Sequence, residues 1–342
     1  MENILDFDYP TLEEKVLQLN EPGFRATQIW EGLYKLNYSN WNDFSNLPIP
    51  LRTSLSQQYN ILSLVPIKEK KTIDERTTKV LFQLDDGNLV ESVHLVNKNR
   101  NTICISTQAG CSVGCVFCAT GKNGFFRNLN ASEIIGQVLF FSHRLHVAGQ
   151  RISNIVLMGM GEPFLNYNAT LQSVNRFNDS RGIAVGARKI TISTIGIIDN
   201  IIKFADEQRQ FKLAISLHAP DDDIREELIP SAKKYPIKEI LKSANYYILK
   251  TNRRITYEYV LIDKINSNRE HASTLAELLK NQNCHVNLIA LNPNPHFEGK
   301  PPSVQSINKF SNILLSNGIS TTTRNSQGSK IEAGCGQLAG IK

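Results

Sequence analysis

Gly110-Cys111-Ser112-Val113-Gly114-Cys115-Val116-Phe117-Cys118 places three of the chain's six cysteines within eight residues, at the spacing C-x3-C-x2-C. Gly110, Ser112 and Gly114 are small, so the stretch reads as neither an apolar core segment nor a regular helix or strand. It is a loop that folds around something. Soft sulfur ligands select zinc or an iron–sulfur cluster. A structural zinc site takes a fourth Cys or His a few residues from its partner. His94, His143 and His146 do not have that spacing, and Cys104 lies seven residues ahead of Cys111. Three thiolates on a four-iron cluster leave one iron open for chemistry, and the missing fourth partner favours iron–sulfur over zinc.

The rest of the chain is ordinary in bulk. Its 342 residues suffice for one large domain with an appendage, and 41% apolar residues suffice for a core. No apolar run approaches the length of a membrane span, which predicts no membrane partner. Met1-Glu2-Asn3-Ile4-Leu5-Asp6 has neither the basic nor the apolar region of a secretory signal. Clustered, reduced cysteines fit a cytoplasmic setting better than a disulfide framework. The net charge of +6 is compatible with a polyanionic partner without requiring one.

Taken in order, residues 1–60 read as a helical accessory unit. Asp8 and Pro10 open a first helix through Leu17, and Pro22-Gly23 breaks it. Ile29, Trp30, Leu33 and Tyr34 recur at helical spacing in a second, and a third runs to about Tyr59. Residues 61–99 are rich in β signals. Lys79–Leu84 and Leu89–Val96 flank an Asp85-Asp86-Gly87 turn and read as a hairpin. Alternation in its second strand puts Glu91 in a row with Leu89, Val93 and Leu95. Such a carboxylate is either ion-paired or aimed into a pocket where desolvation makes it a better base.

From residue 100 to about 325 strands alternate with helices. The expected strands are Thr102–Ser106, Ser153–Leu157, Lys189–Ser193, Lys212–Ser216, Arg254–Leu261 and His285–Leu291. An Asn130-x-x-Glu133 capping pattern opens the first long helix. This predicts an α/β fold whose parallel sheet, joined by right-handed crossovers, forms an open, partial (β/α)6 barrel. Residues 326–342 form a C-terminal segment.

Function in such folds collects at the C-terminal ends of the strands. The first strand runs into the cysteine loop. The second ends in Met158-Gly159-Met160-Gly161-Glu162-Pro163, where glycines admit a ligand and Glu162 is suited to an ammonium group. The others end in Ser193-Thr194-Ile195-Gly196, Ser216-Leu217-His218 and Leu291-Asn292-Pro293. These bring hydroxyl, imidazole and amide groups to one mouth. Cys335 is flanked by Gly334 and Gly336, which argues against tight burial. Cys104 and Cys284 read as small core residues.

The cysteine spacing resembles that of the radical S-adenosylmethionine (SAM) enzymes. Ala119-Thr120-Gly121, Gly124-Phe125, Arg127-Asn128-Leu129, Gly159-Met160-Gly161-Glu162-Pro163 and Cys335-Gly336-Gln337-Leu338 narrow the likeness to the adenine-C2 RNA methyltransferase family, RlmN, with Cfr as its sister. The likeness runs from about residue 22 to 338.

That resemblance implies Cys111, Cys115 and Cys118 as ligands of one 4Fe–4S cluster. It implies Gly161, Glu162, Ser193, Ser216, Leu217, His218 and Asn292 as SAM-binding residues. Cys335 is implied as the methyl carrier, Cys104 as its partner in a transient disulfide, and Glu91 as the proton acceptor. Two SAM are consumed per turnover. The substrates implied are 23S ribosomal RNA and tRNA, met by a monomer with an electron donor such as flavodoxin or ferredoxin.

The family has Ala-Ala ahead of the carrier cysteine, where this chain has Ala333-Gly334; greater flexibility is the expected consequence. Lys68, Lys70, Lys71, Arg76 and Lys122 are expected phosphate contacts. Two other readings stand beside this one. Cfr-type methylation at adenine C8 is one, against which Pro163 leans. A zinc-stabilised, non-catalytic RNA-binding protein is the other.

Overall fold

The computed structural model describes residues 1–62, 64–324 and 327–340. The expected boundary between 325 and 326 lies outside them. A ten-stranded sheet dominates, and its spatial order is its chain order. The strands are β1 (Leu64–Lys71), β2 (Thr77–Leu84), β3 (Leu89–Asn97), β4 (Arg100–Cys104), β5 (Asn154–Leu157), β6 (Ile190–Thr194), β7 (Lys212–Ser216), β8 (Ile255–Leu261), β9 (Cys284–Ala290) and β10 (Ser320–Arg324). β1 to β4 pair antiparallel. β4 to β10 run parallel, and β10 and β1 are its free edges.

The six expected core strands are present, and the hairpin continues the same sheet through β3 and β4. Two strands are additions. β10, Ser-Thr-Thr-Thr-Arg, has no apolar alternation and lies half-exposed at an edge. β1 carries exposed Val65 and Ile67 among lysines, and its register shifts at Pro66, a residue that edge strands tolerate.

Helices supply the crossovers and cover the sheet. In Ala131–Val147 the Asn130 N–H donates to Glu133 Oε2 at 2.8 Å. Ile134, Ile135 and Val138 of that helix are fully buried, each contributing about 1.5–3 kcal/mol. At its N-terminus Glu133 holds Arg127 through two bonds of 2.7 Å, and Arg127 also reaches Asp86 of the hairpin turn.

The N-terminal helices Tyr9–Gln18, Phe24–Tyr34 and Ile49–Gln58 pack around Trp30, Leu33 and Phe44. A short parallel pairing of Glu2–Asn3 with Tyr59–Asn60 closes this unit. It docks on the core where the Ser132 N–H donates to Asp6 Oδ1 at 2.8 Å and Arg176 lies 4.1 Å over the Trp30 ring. No helix among the described residues is long and apolar enough to cross a membrane.

Candidate active site

The cysteine loop is pinned at its base by a small antiparallel ribbon, Gln108–Gly110 with Phe125–Asn128. Gly110 has φ +74°, and a Cβ there would lie 2.1 Å from the Gly124 carbonyl oxygen, so only glycine fits. The Cys111 N–H donates to that same oxygen at 2.8 Å, and the Val116 N–H donates to Leu228 O at 3.0 Å. Directly after Cys118 a short helix, Ala119–Lys122, begins.

All three thiols line one cavity at the C-terminal ends of the parallel strands, with about 950 Å³ of empty space counted out to its mouth. Burial pushes the Cys111 thiol up to about 12 and Cys115 well above its ordinary value, and the neighbouring sulfurs raise both further. Thiolates in this place need a cationic centre, which iron supplies. Among the described residues no three Cys, His, Asp or Glu converge on a single-ion site. Three sulfurs around one cavity suit a multi-iron cluster.

The glycine-rich turn after β5 is built against the segment leading to the loop. The Met160 N–H donates to Ser106 Oγ at 2.8 Å and the Glu162 N–H to Gln108 Oε1 at 2.9 Å. Gly161 has φ +99°, and a Cβ would stand 2.5 Å from that of Gln108. Glu162 enters the cavity wall with its oxygens accepting from the Phe164 N–H at 3.0 Å and the Ile195 N–H at 2.8 Å. Burial pushes its pKa up to about 7 against these bonds.

Ser193 and Ser216 reach the same cavity, their Oγ atoms 3.3 Å apart. His218 has φ +61°, and its Nδ1 accepts from the Val260 N–H at 3.1 Å. Its Nε2 therefore carries the proton. Burial, with Arg225 adding, lowers its pKa to about 3 and keeps it neutral. Leu217 does not line the cavity. Its side chain is fully buried in the core, where it can support the turn only by packing and through its backbone. Asn292 does line it, and its Nδ2 donates to the Cys335 carbonyl at 3.0 Å. Gly334 permits that approach: a Cβ would lie 2.7 Å from Asn292 Nδ2. Close packing, rather than flexibility, is what this glycine provides.

Cys335 is exposed to the cavity of the cysteine loop. It also lines a second cavity, of about 1470 Å³, together with Cys104 and Arg324. Burial pushes the Cys104 thiol up to about 12. All six cysteines are free, so the Cys104–Cys335 disulfide is not formed in this structure. Cys284 is buried in the core as expected.

Glu91 stands apart from both cavities, beside a third of about 940 Å³ that Lys68, Lys70 and Lys79 also line. It is buried and ion-paired with Lys79 at 2.9 Å. The backbone N–H groups of Ala339 and Gly340 donate to its other oxygen at 2.8 and 3.2 Å. The backbone at Ala339 and Gly340 thus lies across the Glu91 carboxylate.

Sequence reasoning missed two residues that shape the cavity. Arg225, fully buried, donates to the carbonyls of Ile195, Leu217 and Tyr235 and so ties the ends of β6 and β7. Asn266 donates to the carbonyls of His218 and Val260, at 2.7 Å each. Neither lies near a recognisable motif; both act on backbone carbonyls that no side-chain pattern reveals.

The Radical SAM superfamily profile matches residues 105–276, the span that carries the thiol loop, the Gly-Glu turn and four of the strand ends. The fold and site thus define a radical SAM enzyme, a class that uses a 4Fe–4S cluster and SAM. The profile described as the ribosomal RNA large subunit methyltransferase N-terminal domain matches residues 2–61. The chain is 45% identical over its full length to a probable dual-specificity RNA methyltransferase RlmN of Dictyoglomus thermophilum, covering 97% of it. It is 44% identical over 99% of its length to the protein of that name in Clostridium tetani, covering 96% of it. A radical SAM methyltransferase from Sphaerobacter thermophilus has the same fold, with a TM-score of 0.97, 43% identity and complete coverage of both chains. The chain belongs to the RlmN family of radical SAM methyltransferases.

Proposed function

We propose that this chain methylates C2 of an adenine in 23S ribosomal RNA and of adenine 37 in tRNA. The observation that carries the reading is that Cys335 faces the same cavity as the three loop thiols and Glu162. A methyl carrier and a radical source must share one space, because a carbon radical formed at one has to meet the other. Adenine C2 has no lone pair with which to displace a methyl from a sulfonium, whereas a thiolate accepts it readily.

Cys111, Cys115 and Cys118 hold the cluster. A 4Fe–4S cluster held there would supply the electron for reductive cleavage of SAM, the source of a 5′-deoxyadenosyl radical. Glu162 receives the ammonium group, and Ser193, Ser216, His218 and Asn292 line the SAM site. The neutral His218 offers an Nε2–H donor there. Cys335 would take a methyl from one SAM, releasing S-adenosylhomocysteine. Transfer of a hydrogen atom from that S-methyl group to the 5′-deoxyadenosyl radical of a second SAM would let its carbon bond to C2, tethering the RNA covalently to the protein. Glu91 would accept the C2 proton as one electron returns to the oxidised donor couple, which requires the backbone at Ala339 and Gly340 to move off its carboxylate. The Cys104 thiolate would then attack Cys335 Sγ, forming the S–S bond as the S–C bond to the adenine-bound methylene breaks. The carbon leaves with that bond's electron pair and takes up a proton to become the methyl group, and a transient disulfide remains.

The target adenine has to be unstacked from folded RNA. Lys68 and Lys70, beside Glu91, are suited to its flanking phosphates, and the N-terminal helices (residues 1–60) to further RNA contact. The chain acts as a cytoplasmic monomer with a flavodoxin- or ferredoxin-type donor. The relatives' shared RlmN name supports C2 over the C8 chemistry of Cfr. The test is anaerobic reconstitution and assay on protein-free ribosomal and transfer RNA, with nucleosides resolved by mass spectrometry. 2-Methyladenosine is expected; 8-methyladenosine, or no methylation, overturns the reading.

A further inference from the structure

Glu258 of β8 is a carboxylate that none of these roles uses. Its side chain is 5% exposed, and it lines the cavity of the cysteine loop. Its Oε1 accepts from Asn287 Nδ2 at 2.8 Å, while its Oε2 is buried with no hydrogen-bond partner among the described residues. Arg324 Nη1 lies 3.9 Å from that oxygen, beyond hydrogen-bond range. Buried carboxylate oxygens are costly to leave unpaired, so an orphan at a cavity wall marks where a ligand donor belongs.

The orientation is fixed from behind. Ser216, Glu258, Asn287 and Thr322 are in register across β7 to β10, so the four share one face of the sheet. Thr322 Oγ1 pairs with Asn287 Oδ1 at 2.7 Å, which commits the Asn287 amide to donate towards Glu258. Oε1 is thereby held, and Oε2 is left without a hydrogen-bond partner.

SAM carries three kinds of donor: an ammonium, two ribose hydroxyls and the adenine amino group. Glu162 already meets the first, near the cysteine loop. Val260, Ile289 and Leu291 make an apolar wall suited to the faces of adenine. The ribose hydroxyls remain; Ser216 is the register partner of Glu258 on the adjacent strand, and its hydroxyl lies 3.3 Å from that of Ser193 one strand further on. The geometry points to Glu258 as the acceptor for a ribose hydroxyl of SAM, with Asn287 and Thr322 as its positioning residues.

This rests on reading the cavity as the SAM site. The test is equilibrium binding of SAM and of its 2′,3′-dideoxyribose analogue to the reconstituted wild type and to Glu258→Gln, with iron content checked in each. The wild type is expected to bind the analogue on the order of tenfold to a hundredfold more weakly, the loss of a charge-assisted hydrogen bond. Glu258→Gln is expected to bind SAM about as weakly as the wild type binds the analogue, and to discriminate little between them. Glu258→Asp, which keeps the charge but recedes by one methylene, serves as the second variant and is expected to lose most of the discrimination. Equal binding of both ligands by the wild type overturns the proposal, and so does full discrimination retained by both variants. Failure of the wild type to bind SAM at all overturns the cavity reading itself.

Discussion

Lys79 Nζ stands 2.9 Å from Glu91 Oε1, and neither side chain is more than 8% exposed. A buried ion pair adds little by itself, but removing one partner strands the other. Lys79→Met is therefore expected to lower unfolding stability by about 3 kcal/mol in urea titration. The double variant Lys79→Met/Glu91→Gln should recover part of that loss. Equal instability of the single and double variants would show that the pair is not the cause.

In the proposed SAM site, Glu162 is expected to set a pH dependence for binding. Burial pushes its carboxyl pKa up to about 7, and only the ionised form attracts an ammonium group. Affinity should hold above pH 7 and weaken by about tenfold for each unit below it. Glu162→Gln should bind weakly with a flat profile. The same upward shift favours the protonated fold, so ligand-free stability should fall as pH rises from 4.5 to about 7. A wild-type binding profile that is level down to pH 5.5 would remove Glu162 from the ammonium role.

Cys118 is expected to be indispensable to the metal centre. Cys118→Ala, purified without oxygen, should lose bound iron and should form no 5′-deoxyadenosine from SAM. Continued SAM cleavage by this variant would falsify the cluster assignment.

Cys104 has a test of a different kind. Its thiol shares a cavity with Cys335, and in the proposed mechanism release of the product depends on it. Cys104→Ala should accumulate a covalent protein–RNA adduct, visible as a band of retarded mobility that ribonuclease collapses. Clean multiple turnover would reduce Cys104 to a packing residue.

The sequence made the chemistry-bearing loops legible because each is short and locally encoded. The cysteine loop, the Gly-Glu turn and the Asn130–Glu133 cap depend on residues a few positions apart. The strand Ser320–Arg324 escaped because its pairing with β9, not its own composition, makes it a strand. Glu258 was readable in principle: a lone carboxylate inside Ile255-Thr-Tyr-Glu-Tyr-Val-Leu261 is the same anomaly that drew attention to Glu91. Its free oxygen was not readable, since that depends on Asn287 and Thr322 from two other strands. Likewise, nothing local to Asn292 shows that its amide grips the backbone of Cys335.

The Ala119 N–H donates to Gly336 O at 2.8 Å, and Thr120 Oγ1 donates to Leu338 O at 2.6 Å. The arm bearing Cys335 is thereby moored to the turn that begins at the residue after Cys118. Cys335 and Cys118 thus ride on a common mount, so a displacement of one is expected to drag the other with it. The separation of the two sulfurs is then set by a mooring a few atoms long, and lengthening the arm by a single residue should detune the proposed transfer without touching either sulfur.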